Sequence, residues 1–339
     1  MLADARRIKN LPGRPKRDCS DSAWIAVCFE RGSITSCFVP TEEFRLIRLH
    51  TRCRRDLTCD RTRDKNRAGE AAGIGRYQDL GGAAGVHGMT GRDIMDHLIA
   101  GERNPKVLAQ LARGHARAKI GRLEQALEGA DFFTGAHAGL LKAMLERVDR
   151  AGEEIARLTQ VIEQLLAPYE EQLQQAESMP GWARHAARDV IAGTGVDMSR
   201  FRTPGHLASW AGRTPLDHQS GARHGKAGRK HGNRYIGAVT GETAVAAGRT
   251  DTREGARHRR LARNRGRGKA CVAAGNTQMR VFHVLLSDPG MRYTDLGPGW
   301  YDDERQAARR LTRLVGALDD MGYEVTLCRK PQPENAPAN

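Results

Sequence analysis

The sequence predicts a mainly α protein, and two observations carry that prediction. Apolar residues recur at steps of three and four over long stretches, and Gly or Pro punctuates the periodic segments. At 339 residues the chain can form two or three domains. Segment boundaries fall at 1–68, 69–178, 179–329 and 330–339.

Near the start, the turn-forming Leu11-Pro12-Gly13-Arg14-Pro15 precedes Asp18-Cys19-Ser20-Asp21 and the apolar Ala23-Trp24-Ile25-Ala26-Val27. Ser20 or Asp21 is expected to cap a helix there, and Gly32 to end it. Thr41-Glu42-Glu43 marks the start of a long Arg-rich helix over 41–68, with Phe44, Ile47, Leu49 and Leu57 on its apolar side. Residues 69–91, rich in Gly and Ala, read as a loop or a poorly packed helix end. From Gly135 to Gln175 the series Leu141, Leu145, Val148, Gly152, Ile155, Ile162, Leu166, Tyr169 and Leu173 describes one long helix, kinked at Pro168. That helix fits a coiled coil between copies, hence a homo-oligomer. It fits equally a single amphipathic helix packed on its own domain, because Gly152 and Thr159 are weak seam residues.

Met179-Pro180-Gly181-Trp182 breaks the helix, and a second helix runs from Arg184 to Ala192. Such a hairpin can turn its amides toward a phosphate. A short apolar helix follows over Phe201–Gly212, then a polar, basic, Gly-rich loop over Thr214–Asn233. Further helices are expected over Tyr235–Arg249, Arg253–Arg265, Lys269–Leu286 and Asp303–Met321. Tyr323–Cys328 reads as a strand and Lys330–Asn339 as disordered.

Charge is concentrated. The whole chain carries +15, and residues 202–269 hold 16 Lys and Arg against 4 Asp and Glu. A polyanion is the expected partner. With few aromatic residues, stacking on unpaired bases is a minor grip, and phosphate contacts should make binding salt-sensitive. The seven cysteines form no CxxC pair, and His50, Cys53 and Cys59 match no standard zinc spacing. Free thiols and the absence of an apolar signal core point to a cytoplasmic protein with no membrane span.

Two places could hold chemistry. Asp18 and Asp21, three apart at a helix start, can share a hard divalent cation, although such a pair is more often a cap. Ser220, flanked by Gly221 and followed by Arg223, Lys226, Arg229 and Lys230, has access and positive charge but no base of its own. The plainer reading is a loop serine beside a phosphate-binding patch that ends at Arg234.

Taken in order, Pro12 to Trp24, Arg61 to Arg67, Met179 to Trp182, Phe201 to Gly212 and Gln219 to Asn233 resemble the DEDD-type transposases of the insertion-sequence one-hundred-ten group. That group is related to the Piv-like DNA invertases. The resemblance implies a RuvC-like (ribonuclease-H-like) α/β domain in front, of which 1–68 would be a remnant. It implies a coiled-coil linker over 69–178 and a C-terminal transposase domain with a helix-hairpin-helix element over 179–329.

It also implies four acids that hold magnesium, a serine nucleophile that forms a covalent phosphoserine, DNA as partner and, in some members, an element-encoded guide RNA. By motif, Asp18 and Asp21 match the last two acids and Ser220 the nucleophile. The first two acids have no counterpart, since only Asp4 precedes Asp18. The chain is therefore expected to be an N-terminally truncated and defective recombinase. The alternative is a non-catalytic DNA- or RNA-binding remnant, and a third reading makes the long helix an assembly device with incidental charge.

Overall fold

The computed structural model describes Ala3, Ile8 and residues 18–34, 36–73, 88–128, 133–215, 219–220, 223–224 and 232–327. Its fold is mainly helical and divides into two compact units. Unit 1 is Met1–Glu170 with Arg188–Val196, and unit 2 is Glu171–Ala187 with Asp197–Asn339.

Unit 1 begins with α1 (Asp18–Glu30) and α2 (Glu42–Ala71). Ser20 and Asp21 lie inside α1 rather than capping it, because the helix already starts at Asp18. Gly32 ends it as expected, its N–H bonding to Phe29 O at 3.0 Å. On α2, Phe44 and Ile47 are buried, but Leu49 is 66% exposed. Leu49 sits two positions after Ile47, which on a 100° per residue helix turns it well away from the buried stripe. Beyond residue 68 the helix continues to Ala71. Ala68 and Ala72 are buried, so this helix end is well packed, contrary to expectation.

Four shorter elements follow: α3 (Met89–Ile99), α4 (Pro105–Gln110), a 3-10 turn at Gly114–Lys119 and α5 (Ile120–Leu127). Sequence reading gave no helices here. Ile94, Met95 and Leu98 of α3, Leu108 of α4 and Leu123 and Leu127 of α5 form one core with Ala68, Leu141 and Leu145. Fully burying one such leucine contributes about 1.5–3 kcal/mol.

The long helix α6 spans Gly135–Leu166 and begins with a capping box formed by Thr134 and His137. Leu141, Leu145, Val148, Ile162 and Leu166 are buried on it, and its main partner is α2 of the same chain. The apolar stripe is thus occupied within unit 1. Pro168 does more than kink one continuous helix: a 3-10 turn at Ala167–Tyr169 separates α6 from α7 (Glu170–Glu177). Among the described residues of the 1–68 segment no β-sheet is present; the one strand-like feature is an isolated bridge between Ala3 and Ser36.

Helix α8 (Arg184–Thr194) has its first four residues in unit 2 and the rest in unit 1. Within unit 1, Asp189 pairs with Arg54 of α2 at 3.3 Å, and Arg48 donates to the carbonyls of Ala192 and Gly193. Burial beside Arg52 lowers the Arg48 pKa to about 10.

Unit 2 is built on α9 (Pro204–Trp210), α10 (Arg234–Ala247), α11 (Arg253–Arg265) and α12 (Arg267–Ser287). Helix α12 is the hub and packs on the other three. Met279, Phe282 and Leu285 on its inner side are buried, with Trp182 stacked on Phe282 at 5.6 Å between centroids. Helix starts follow local chemistry: Thr203, Asn233 and Thr252 each accept a backbone N–H in the first turn of α9, α10 and α11. Between α9 and α10 a two-residue antiparallel pair joins β1 (Gln219–Ser220) to β2 (Arg223–His224).

The last helix is α13 (Trp300–Asp320), which carries exposed Leu311, Leu314 and Leu318. Tyr323 to Leu327 do not form the expected strand, since no second strand pairs with them among the described residues. Cys328 and the segment 330–339 lie outside the described residues. No helix among the described residues is long and apolar enough to cross a membrane.

Candidate nucleic-acid interface

The hairpin turn at Met179–Trp182 does not offer its glycine to a ligand. A Cβ on Gly181 would lie 2.5 Å from Ala247 N and from Thr243 O, so the turn is pressed onto α10. Met179 and Trp182 are 3% and 5% exposed. The turn's job is packing within unit 2, and the face that meets α10 is closed to a phosphate.

The basic loop is different. Ser220 and Arg223 are direct backbone partners in the β1–β2 register. Lys226, Arg229 and Lys230 lie outside the described residues. Arg234 is exposed at the start of α10, its guanidinium 4.6 Å from the Tyr235 ring centroid and bonded to the Tyr235 hydroxyl at 2.6 Å. That contact holds the side chain at the helix entrance.

Asp18 and Asp21 both lie on α1, one turn apart. They belong to unit 1, while Ser220 belongs to unit 2.

The structure adds residues that sequence reading did not single out. The α11–α12 corner reads Arg263-Asn264-Arg265-Gly266-Arg267-Gly268-Lys269, and every one of these residues is exposed. Gly266, at φ +84°, makes the sharp corner between the helices. Four cations stand here, and none pairs with a carboxylate among the described residues. The corner also holds the N-terminal end of the 21-residue α12, whose backbone dipole adds positive potential. A run of alternating Arg and Gly between two helical patterns is the signal that could have found it.

Other arginines of α11 are committed to the fold. Arg257 donates to Thr277 Oγ1 and pairs with Glu254 at 3.9 Å, and Arg253 lies over the Trp300 ring at 4.2 Å. Glu254 is only 5% exposed, and burial raises its pKa above the usual carboxylate range. Burial, with Arg259 nearby, pushes His258 below its ordinary value; its Nε2 lies 3.7 Å from Cys271 Sγ. Beside them a groove of about 580 Å³ runs between α10 and α12, lined by Arg213, Glu242, Arg249 and Cys271 among small residues.

A second arginine-rich place lies in unit 1, between α2 and α6. A cleft of about 660 Å³ is lined by Arg61, Arg63, Arg67, Arg147, Arg150 and Arg157 together with Asp60, Asp64, Glu153 and Glu154. Here acids hold several of the arginines: Arg63 pairs with Asp60 at 2.7 Å, Arg147 with the buried Asp64 at 3.0 Å and Arg157 with Glu154 at 2.5 Å.

These features define a helical protein whose second unit exposes four cations, Arg263, Arg265, Arg267 and Lys269, that pair with no carboxylate among the described residues. Residues 173–259 match the family described as Transposase IS116/IS110/IS902 family. The match supports a transposase of this insertion-sequence group, and it runs from α7 into α11, taking in Ser220, Arg223 and Arg234. No curated protein matches the chain.

Proposed function

We propose that this chain is a transposase polypeptide of an insertion sequence that grips DNA through unit 2. The observation that carries the reading is the family match over 173–259, which takes in Ser220, Arg223 and Arg234 and ends just before the exposed cations Arg263, Arg265, Arg267 and Lys269. Arg223, Lys226, Arg229, Lys230 and Arg234 contact phosphates, joined by Arg263, Arg265, Arg267 and Lys269. A guide RNA offers the same phosphate chemistry and would occupy the same basic surface. A homo-oligomer is part of the proposal, although the apolar stripe of α6 already has its partner inside the chain.

Ser220 is the nucleophile of strand cleavage in this reading. Its hydroxyl oxygen forms a bond to phosphorus and one P–O ester bond breaks. The serine proton leaves, and the released deoxyribose oxygen takes up a proton. The ester energy stays in the phosphoserine bond and is available for rejoining. Arg223, opposite Ser220 in the strand pair, supplies charge to the phosphorane.

Magnesium does not fit the residues at hand. Two carboxylates one turn apart on α1 are a sparse set for an octahedral ion, and among the described residues no three His, Cys, Asp or Glu side chains converge. The chain by itself is accordingly expected to bind DNA and to be deficient in cleavage.

Two measurements test this. Fluorescence anisotropy with duplex DNA should show binding that weakens steeply with salt and is unchanged by Ser220→Ala; salt-independent binding or none would overturn the DNA-gripping role. Incubation with supercoiled plasmid should give no covalent protein–DNA adduct, and a Ser220-dependent adduct would overturn the deficiency.

A further inference from the structure

The segment that carries Ser220 departs from and returns to a single point in unit 2. A Cβ placed on Gly232 would lie 2.4 Å from Gly212 N, 2.5 Å from Gly212 Cα and 2.6 Å from Ala211 C. The two backbones are therefore in direct contact, and no other residue type fits at 232 without opening them. Gly212 itself sits at φ +71° just after α9, its N–H bonded to Ser209 O at 3.1 Å. The departure point is fastened twice more. The Asn276 side chain on α12 donates from Nδ2 to Arg213 O at 3.0 Å. Arg213, 2% exposed, lies in a slot whose walls are glycines: Cβ atoms on Gly237 and Gly241 of α10 would stand 3.7 and 3.9 Å from its Nη2, and one on Gly275 of α12 would stand 3.3 Å from its Cδ. The return point is fixed by Asn233, whose side chain accepts from Tyr235 N at 3.0 Å and caps α10.

We infer that Gly212, Arg213, Gly232 and Asn276 are positioning residues that clamp both ends of the Ser220 segment onto the α10–α12 pair. A nucleophile on a long basic loop loses rate with every unproductive orientation it samples. Ends that meet by backbone contact and are tied to α10 and α12 limit that freedom. The β1–β2 pairing then sets Ser220 against Arg223 within the closed segment. The inference rests on Ser220 being the residue that meets the phosphodiester. The clamp itself stands on geometry that does not depend on that role.

The test uses Gly232→Val, which forces the stem apart, and Asn276→Asp, which removes the donor to Arg213 O at nearly constant shape. Asn276→Gln, which keeps an amide donor, serves as the conservative control. Circular dichroism checks that helix content is retained in each. The first readout is limited trypsinolysis at Arg223, Lys226, Arg229 and Lys230. Both disruptive variants should be nicked there at least tenfold faster than the parent, with Asn276→Gln closer to the parent. Equal rates in all four proteins would overturn the clamp. Should Gly232→Val fail to fold, Asn276→Asp decides the same point.

The second readout places Ser220→Cys in each background and measures disulfide capture of a duplex bearing a thiol tethered to a backbone phosphate, with the Ser220 proteins as blanks. Capture should be about tenfold slower in the disrupted backgrounds while duplex affinity stays within twofold. Capture at the parent rate in those backgrounds would overturn positioning. No capture above the blank in the parent would instead overturn the role of Ser220, and the trypsin result would still decide the clamp.

Discussion

The cleft between α2 and α6 and the corner between α11 and α12 are both rich in arginine, and they differ in what stands beside it. In the cleft, Asp60, Asp64 and Glu154 hold Arg63, Arg147 and Arg157 in ion pairs, and Asp64 is buried. In the corner, Arg263, Arg265, Arg267 and Lys269 are exposed with no carboxylate between them. Arginine content by itself therefore does not single out the surface proposed to hold DNA. The proposal rests on charge that the fold leaves uncompensated and solvated, able to exchange counterions for phosphates. In unit 1 Arg63 and Arg157 pair within their own helices and Arg147 pairs across to α2, whereas the α11–α12 corner of unit 2 leaves its four cations exposed.

The comparison breaks most visibly if the stability of unit 1 and DNA binding turn out to be linked. Leu98→Ala empties a fully buried site in the unit 1 core and should cost about 2–5 kcal/mol in urea unfolding. DNA affinity, measured where unit 1 is still folded, should stay within twofold. A smaller effect is expected of Arg147→Ala. It leaves the Asp64 carboxylate with Arg67 alone, at 3.4 Å, and should cost about 1–2 kcal/mol with no change in salt dependence of binding.

Smallest is Glu254→Gln, which sharpens the picture inside unit 2. Burial raises the Glu254 pKa in the folded state above its unfolded value. Its favourable contribution is complete at pH values below the unfolded pKa of about 4.5 and is lost as pH rises through the folded value. The melting temperature of the Gln variant should therefore gain on that of the parent between pH 4 and pH 7. A gap that stays constant over this range would contradict the burial of a reluctant carboxylate.

Much of the helix inventory was legible because its signals are local. The span Arg253–Arg265 and the start of α6 at Gly135 were read correctly, whereas Pro168, read as a kink in one helix to Gln175, instead lies in a 3-10 turn between two helices. Leu49 was misplaced because one apolar residue off the stripe looks the same in a list as one on it. The short helices over 89–127 went unread because their apolar residues are held by one another across four elements rather than by a long period. Pairing of Ser220 with Arg223 was missed, although Ser-Gly-Ala-Arg, with Gly first of two linking residues, is a hairpin signal. The contact of Gly212 with Gly232 and the burial of Asp64 against Arg147 depend on residues far apart in sequence, and no local pattern announces them.

The central claim is that DNA is held by the uncompensated charge of unit 2. It is tested most directly by the slope of log binding constant against log salt for three proteins: the parent, one with Arg263, Arg265, Arg267 and Lys269 changed to Ala, and one with Arg63, Arg67, Arg147 and Arg157 changed to Ala. At about 0.9 per phosphate contact, the corner variant should lose roughly 3 to 4 units of slope. The cleft variant should keep the parent slope. An undiminished slope in the corner variant, or an equal loss in the cleft variant, would contradict the account.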